Sequence, residues 1–219
     1  MQKTAALLLA LTCAACARQR VATIPAPAAS AREAPRVVLA GSATSLGRAS
    51  LSSAEAAVEY LMTRDMLVPV AGTSVKQLED TFDEGRDGGR VHRALDILAP
   101  RGTPVLAADS GRILRVRFNA LGGNTIYALD PQGRIVYYYA HLDAYRRGLT
   151  EGEVVARGDT LGFVGTTGNA PKDTPHLHFQ VMRMPPDGKY WDGEAINPYP
   201  LFLLTHAAVR HDSLVEGTR

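Results

Sequence analysis

Two histidines separated by one residue, His176-Leu177-His178, stand in the same chain as a His-x-x-x-Asp pair, His92 and Asp96, and a solitary His141. Four imidazoles and a carboxylate inside a stretch the size of one domain are the donor types that hold zinc and, beside it, accept and return protons. Each alone has an ordinary structural use, as a capping acid or a hydrogen-bonded histidine. Their joint occurrence points to a zinc site with catalytic bases next to it.

A helix turns about 100° per residue, so His176 and His178 would diverge on one, whereas positions i and i+2 of a strand share a face. The run Pro175 to Val181 alternates polar and apolar, which predicts a strand with Leu177, Phe179 and Val181 facing a core. Both imidazoles then project to the opposite side, roughly 7 Å apart by strand rise. One can hold a metal while the other meets a substrate or a metal-bound water. His92 and Asp96 need another device, because four steps of straight strand separate two side chains by roughly 13 Å. Leu95 to Ala99 runs into Pro100-Arg101-Gly102-Thr103-Pro104, too much punctuation for a helix to continue. A bend near Arg93-Ala94, with Asp96 opening a short strand, brings the two together.

The blocks Gly89 to Ile97, Ala99 to Ala107, Tyr139-Ala140-His141-Leu142, Gly162 to Gly168 and His176 to Phe179 fall in an order that resembles the LytM/lysostaphin-type zinc metallopeptidases, peptidase family M23. The resemblance spans roughly Pro69 to Phe202. It implies that His92, Asp96 and His178 hold one zinc ion per chain, with water in the fourth position. It also implies that His141 and His176 flank that water, as general base and as donors to the oxyanion that forms. One departure stands out: the family usually has Gly two residues after the first ligand, and this chain has Ala94. A methyl there restricts the bend or crowds the cleft, since Gly suits positive φ and close backbone approach.

The elements that must position these residues read as β. Val105 to Ala108 and Ile113 to Val116 flank Asp109-Ser110-Gly111, a hairpin signal. Thr125 to Leu129 and Ile135 to Tyr139 flank Asp130-Pro131-Gln132-Gly133, with Pro and Gly at type I turn positions. By alternation Tyr137, Tyr139 and His141 share a face, so Tyr139 or Tyr137 is expected to line the cleft. Tyr139 and Asn124 are the substrate-binding candidates. Short strands and frequent turns predict a mainly β, antiparallel domain. The resemblance sharpens this to a folded β-sheet metallopeptidase domain of the LytM/duplicated hybrid motif kind, with the zinc in a groove. Asp83 to Val91 and Thr166 to Thr174, rich in Gly, Asp and Asn, are the expected loop walls.

Upstream, Ser52 to Glu55 has capping-box spacing and predicts a short helix through about Met66 with Val58, Leu61 and Met62 on one apolar face, packed on the domain. At the N-terminus Lys3 precedes an apolar run, Ala5 to Leu11, far below the ~20 residues of a membrane span, which reads as a signal peptide. The two cysteines, Cys13 and Cys16, both lie just after it, so the domain has neither a disulfide framework nor a thiolate metal site. Cys16 after Ala14-Ala15 resembles a bacterial lipoprotein cleavage and lipidation site, although Cys13 stands where that pattern prefers Leu. Ordinary cleavage after Ala17 is the alternative. The organisation predicted is therefore 1–16 signal peptide and lipobox, 17–50 an Ala/Pro-rich disordered tether, 51–68 amphipathic helix, 69–205 peptidase domain and 206–219 a polar tail with His206 and His211 solvated.

A formal charge of +2 gives no electrostatic case for nucleic acid. What the resemblance and the expected export together imply is a zinc metalloendopeptidase of the cell envelope or periplasm that hydrolyses peptide cross-links of peptidoglycan, and the Cys16 pattern adds a membrane anchor through a lipid. The competing expectation is a non-enzymatic regulator of the amidase-activator kind, or an envelope scaffold. The intact histidine and aspartate set argues for the enzyme.

Overall fold

Ser52 opens the first helix by exchanging hydrogen bonds with Glu55: the Glu55 N–H donates to the Ser52 hydroxyl at 3.2 Å, and the Ser52 N–H donates to the Glu55 carboxylate at 2.7 Å. The computed structural model describes residues 52–206. The expected leader with Cys13 and Cys16, the tether and His211 lie outside the described residues. Helix α1 runs Ser53–Met62, four residues short of its expected end. It stops because the chain turns at Thr63 and Arg64, and by Leu67 its N–H is bonded to the Ala108 carbonyl at 3.0 Å. Its buried stripe is Ala57 and Leu61, an i, i+4 pair, whereas Val58 and Met62 are exposed. Of the expected apolar face only Leu61 is inside. The helix is fastened by polar contacts at its far end: Arg64 takes both oxygens of Asp109 at 2.8 and 2.9 Å, and the Tyr60 hydroxyl donates to Asp130.

Most of the remaining regular structure is antiparallel sheet. In chain order the strands are β1 (Gly85–Arg86), β2 (Arg90–Val91), β3 (Leu95–Leu98), β4 (Pro104–Leu106), β5 (Gly111–Asn119), β6 (Gly123–Leu129), β7 (Ile135–Leu142), β8 (Ala144–Tyr145), β9 (Val154–Val155), β10 (Thr160–Phe163), β11 (His176–Arg183) and β12 (Glu194–Ile196). The largest sheet has the order β12-β11-β7-β6-β5-β9, with β3 added to the free half of β11. A smaller sheet, β4-β10-β8, lies beside it, and β1 and β2 form a separate ribbon. Alternation supplies the core: Ile126, Tyr137, Tyr139, Leu177, Phe179 and Val181 are fully buried on one face of the large sheet. Leu201 and Phe202, from a second helix at 199–206, are also buried, with the Phe202 ring 6.2 Å from that of Phe179. Truncating such a ring in a packed core typically costs about 3–5 kcal/mol. Among the described residues no helix is long and apolar enough to cross a membrane.

The expected hairpin at Asp130 to Gly133 forms, joining β6 to β7, with the Asp130 carboxylate accepting from the N–H groups of Gln132, Arg134 and Ile135. The one at Asp109 to Gly111 does not. β4 pairs with β10, and β5 pairs with β6 and β9. The reason is that both flanks find partners in the later 153–160 segment: Ala107 N–H bonds the Asp159 carbonyl and Ile113 N–H bonds that of Glu153. Asp109, in place of making a tight turn, is buried against Arg64 and the Tyr137 hydroxyl.

Candidate active site

Strand register decides which residues meet. On β11, His178 sits opposite Asp96 of β3 on one side and Ala140 of β7 on the other, so the carboxylate and the imidazole are cross-strand neighbours. His92 reaches the same point because the chain reverses after it: Arg93 has φ 57°, in the left-handed region, and Arg93 N–H bonds the Phe82 carbonyl at 2.8 Å. The bend read from the sequence at Arg93-Ala94 is therefore real. Ala94 is fully buried and does not line the cleft, so its methyl neither crowds a substrate nor occupies the strained position.

The three donors converge closely. His92 Nε2, His178 Nδ1 and Asp96 Oδ1 are 3.0 to 3.1 Å from one another. A carbonyl can only accept, so the 2.9 Å contact from His92 Nδ1 to the Thr81 carbonyl places a hydrogen on Nδ1 and leaves Nε2 of the neutral ring as a lone pair. That lone pair faces another acceptor, Asp96 Oδ1, at 3.0 Å. Two acceptors so close need a proton or a metal ion between them. Three donors held about 2.0–2.2 Å from a tetrahedral ion lie roughly 3.3–3.5 Å apart, near the spacing observed, so two imidazoles and a carboxylate here fit zinc. Burial alone would raise the Asp96 pKa, but the hydrogen bonds with His178 and His92 outweigh it and hold the carboxyl well below the usual range. Burial pushes His178 down, against its bond to Asp96, which favours the neutral, lone-pair form.

His141 and His176 stand beside this triangle. Their rings are 5.0 Å apart, and His141 is 5.6 Å from His178. Both are fixed as His92 is: His141 Nδ1 donates to the Thr167 carbonyl and His176 Nδ1 to the Thr174 carbonyl, each at 2.9 Å. Each therefore offers Nε2 as a base when neutral. Burial first, and then the neighbouring His178, lower the His141 pKa to about 4.

His141 enters the cleft by an irregularity. Simple alternation on β7 would turn it inward with Tyr137 and Tyr139, but its φ is 62° and the β6–β7 register slips between Asn124 and Ile126. Thr167 locks this bulge, its hydroxyl donating to the Leu142 carbonyl at 2.7 Å and accepting from the Asn124 N–H at 3.0 Å. The segment that carries Thr167 can come so near only because two glycines meet: a Cβ on Gly168 would lie 2.3 Å from the Gly123 nitrogen.

These facts correct two expectations. Tyr139 does not line the cleft; it is fully buried, packed on Phe179, with its hydroxyl accepting from the Ala108 N–H at 3.0 Å. Asn124 does not line it either: its amide donates to the Leu142 and Asp143 carbonyls, bracing the chain just after His141. The tyrosine that faces the cleft is Tyr138, edge-on to His178 at 6.0 Å. The cleft, about 500 Å³, contains all five expected site residues, His92, Asp96, His141, His176 and His178. Its walls include Arg86, Arg90 and Val91 from the first expected loop and Asn169, Ala170, Pro171 and Thr174 from the second. A third wall, Leu121 and Gly122 from the β5–β6 turn, was not legible beforehand. Nor were Arg86, 2.6 Å from Asp96 Oδ2, and the carbonyls of Thr81, Thr167 and Thr174, since a backbone oxygen leaves no mark on a residue's type.

Comparison with known proteins adds an independent line. The profile of Peptidase family M23 matches residues 90–198. The chain is 33% identical over 104 residues to the L-Ala--D-Glu endopeptidase of Bacillus subtilis, covering 45% of this chain and 32% of that protein. It is 37% identical over 99 residues to lysostaphin of Staphylococcus simulans, covering 45% of this chain and 19% of that protein. The matched stretch thus spans a third or less of these relatives' length. A crystal structure described as that of a candidate glycyl-glycine endopeptidase, lytM, from Ruminococcus gnavus superposes with a TM-score of 0.55 at 27% identity, covering 68% of this chain and 63% of that one.

Proposed function

We propose, from the match of residues 90–198 to peptidase family M23, that the protein is a zinc metalloendopeptidase that hydrolyses peptide cross-links of bacterial peptidoglycan with a metal-activated water. The observation that carries this reading is the triangle of His92, Asp96 and His178 with two base-presenting histidines, His141 and His176, at its side. Similarity to an L-Ala--D-Glu endopeptidase of Bacillus subtilis and to a peptidoglycan DD-endopeptidase of Vibrio cholerae supports peptidoglycan as the substrate.

His92, Asp96 and His178 would hold the ion, which when bound supplies Lewis acidity and a water acidic enough to attack at neutral pH. The rest falls to side chains of this protein. His141 Nε2, kept neutral by burial and anchored through Nδ1, accepts the proton of the attacking water. Once protonated it is a donor and returns that proton to the departing amine. His176, held through Nδ1 beside His141, supplies a second imidazole that stabilises the oxyanion once its Nε2 carries a proton. Tyr138 and the two rim segments orient the peptide.

For location, the reading is an exported envelope protein, membrane-attached through lipidated Cys16; radiolabelled palmitate marks the wild type and fails to mark Cys16→Ala, and equal labelling rejects that site. For the reaction, purified protein is incubated with peptidoglycan and zinc beside a His141→Ala control and the products read by mass spectrometry. Cross-link cleavage absent from the variant is expected. No cleavage by folded, zinc-loaded protein would favour the amidase-activator reading in its place.

A further inference from the structure

The two oxygens of Asp96 have different partners. Oδ1 faces the imidazoles, 3.0 Å from His92 Nε2, 3.1 Å from His178 Nδ1 and 3.8 Å from His176 Nε2. Oδ2 points away from them and is held 2.6 Å from Nη2 of Arg86. A carboxylate left to itself can offer a cation one oxygen or both. On the reading of the site given above, we propose that Arg86 is a positioning residue that reserves Oδ2, so that Asp96 presents a single oxygen to the metal.

The fold places Arg86 for this. It lies on β1, paired with Arg90 of β2 two residues before His92, and the His92 N–H bonds the Glu84 carbonyl at 2.9 Å. One short ribbon therefore carries both a ligand and the group that orients another ligand. The reversal between its strands uses Gly88 and Gly89, both at positive φ. Arg86 is itself aimed from the other side, since Nη1 takes the Glu84 carboxylate at 3.1 Å while Nη2 takes Asp96. A planar guanidinium serves two carboxylates at fixed angles, which the compact ammonium of lysine does less well. The side chain is about one third exposed, so the pair adds little to folding stability, and its effect falls on the direction of the carboxylate.

The test uses the full chain loaded with Co2+, whose visible spectrum reports ligand number, and zinc affinity measured against a competing chelator. Arg86→Met keeps the stem and removes the donors; Arg86→Lys keeps the charge. Expected are one Co2+ bound by the wild type, a loss of affinity of about ten- to a hundredfold in Arg86→Met with an altered cobalt spectrum, and partial recovery in Arg86→Lys. Metal-free melting curves of the three proteins should coincide. Wild-type affinity and an unchanged spectrum in Arg86→Met would overturn the proposal while leaving the metal site intact. A wild type that takes up no Co2+ would overturn the metal site itself, and the proposal with it.

Discussion

Tyr139 and His141, two positions apart on one strand, face opposite sides of the sheet: the tyrosine lies in the core and the histidine in the cleft. The positive φ at His141 and the adjoining register slip produce this inversion. Tyr139→Phe should therefore act on stability, costing about 1–3 kcal/mol by stranding the buried Ala108 N–H, with KM unchanged. Tyr138→Ala should raise KM with only a modest fall in melting temperature. Denaturant melts and peptidoglycan turnover on both variants separate the two; a KM effect from Tyr139→Phe would contradict the assignment.

Metal content tests the triangle. Asp96→Ala and His178→Ala are each expected to reduce bound zinc from one per chain to near none, since either removes one of three protein donors. His141→Ala should keep its zinc and lose about 10²–10⁴-fold in turnover. Elemental analysis after dialysis decides: unchanged zinc in Asp96→Ala would sink the ligand set.

Arg64 fastens α1 to the sheet through Asp109, which is buried and also accepts from Tyr137. Arg64→Ala leaves that carboxylate short of its counter-charge, and a loss of about 2–4 kcal/mol is expected, less than for a fully buried pair because the Arg64 side chain is about one fifth exposed. Chemical denaturation gives the number. A change below a few tenths of a kcal/mol would mean that the helix is not integral to the domain.

Alkaline pH should loosen the protein through its tyrosines. Burial raises the pKa of Tyr137 and Tyr139 far above the ordinary value, and burial with the bond to Asp130 raises Tyr60 to about 12. Below about pH 10 both folded and unfolded chains keep these protons, so the stabilisation is complete. Above it the unfolded chain releases protons that the folded one retains, and stability declines as pH rises. Phenolate absorbance should therefore lag for these residues and appear with unfolding; free titration near pH 10 of all tyrosines in the folded protein would refute their burial.

Ala94→Gly, restoring the residue usual in the family, should lower stability by about 1 kcal/mol and leave turnover as it was, because the methyl is packed inside and clear of the cleft. Raised activity would mean that the methyl hinders substrate after all.

Much of the site could be read from residue types because its logic is periodic. His176 and His178 share a face by alternation, and the punctuation after Ala99 forces Asp96 onto a short strand, so a bend near Arg93 followed. The failures occurred where periodicity is interrupted. Alternation assigned Tyr139 to the cleft, and only a bulge, invisible in single-residue preferences, reverses the faces between it and His141. Likewise Asp109-Ser110-Gly111 has the composition of a tight turn, yet its flanks pair with residues forty or more positions later, a long-range choice that local chemistry does not encode. The helix ends early for the same reason: the Leu67 N–H is bonded to the distant Ala108 carbonyl before another turn can form.

Strand β11 is bonded along one edge to β7, and its other edge is shared between β3 and β12. Its backbone cannot open without breaking ladders on two sides, whereas the β1–β2 ribbon and the 166–174 segment have no such double bracing. Chemistry and selectivity thus reside in parts of unequal permanence. On the proposed function the rim side chains can change while the histidines of β11 stay where they are, provided that the Thr167 and Thr174 carbonyls and Arg86, which hold His141, His176 and Asp96, keep their places.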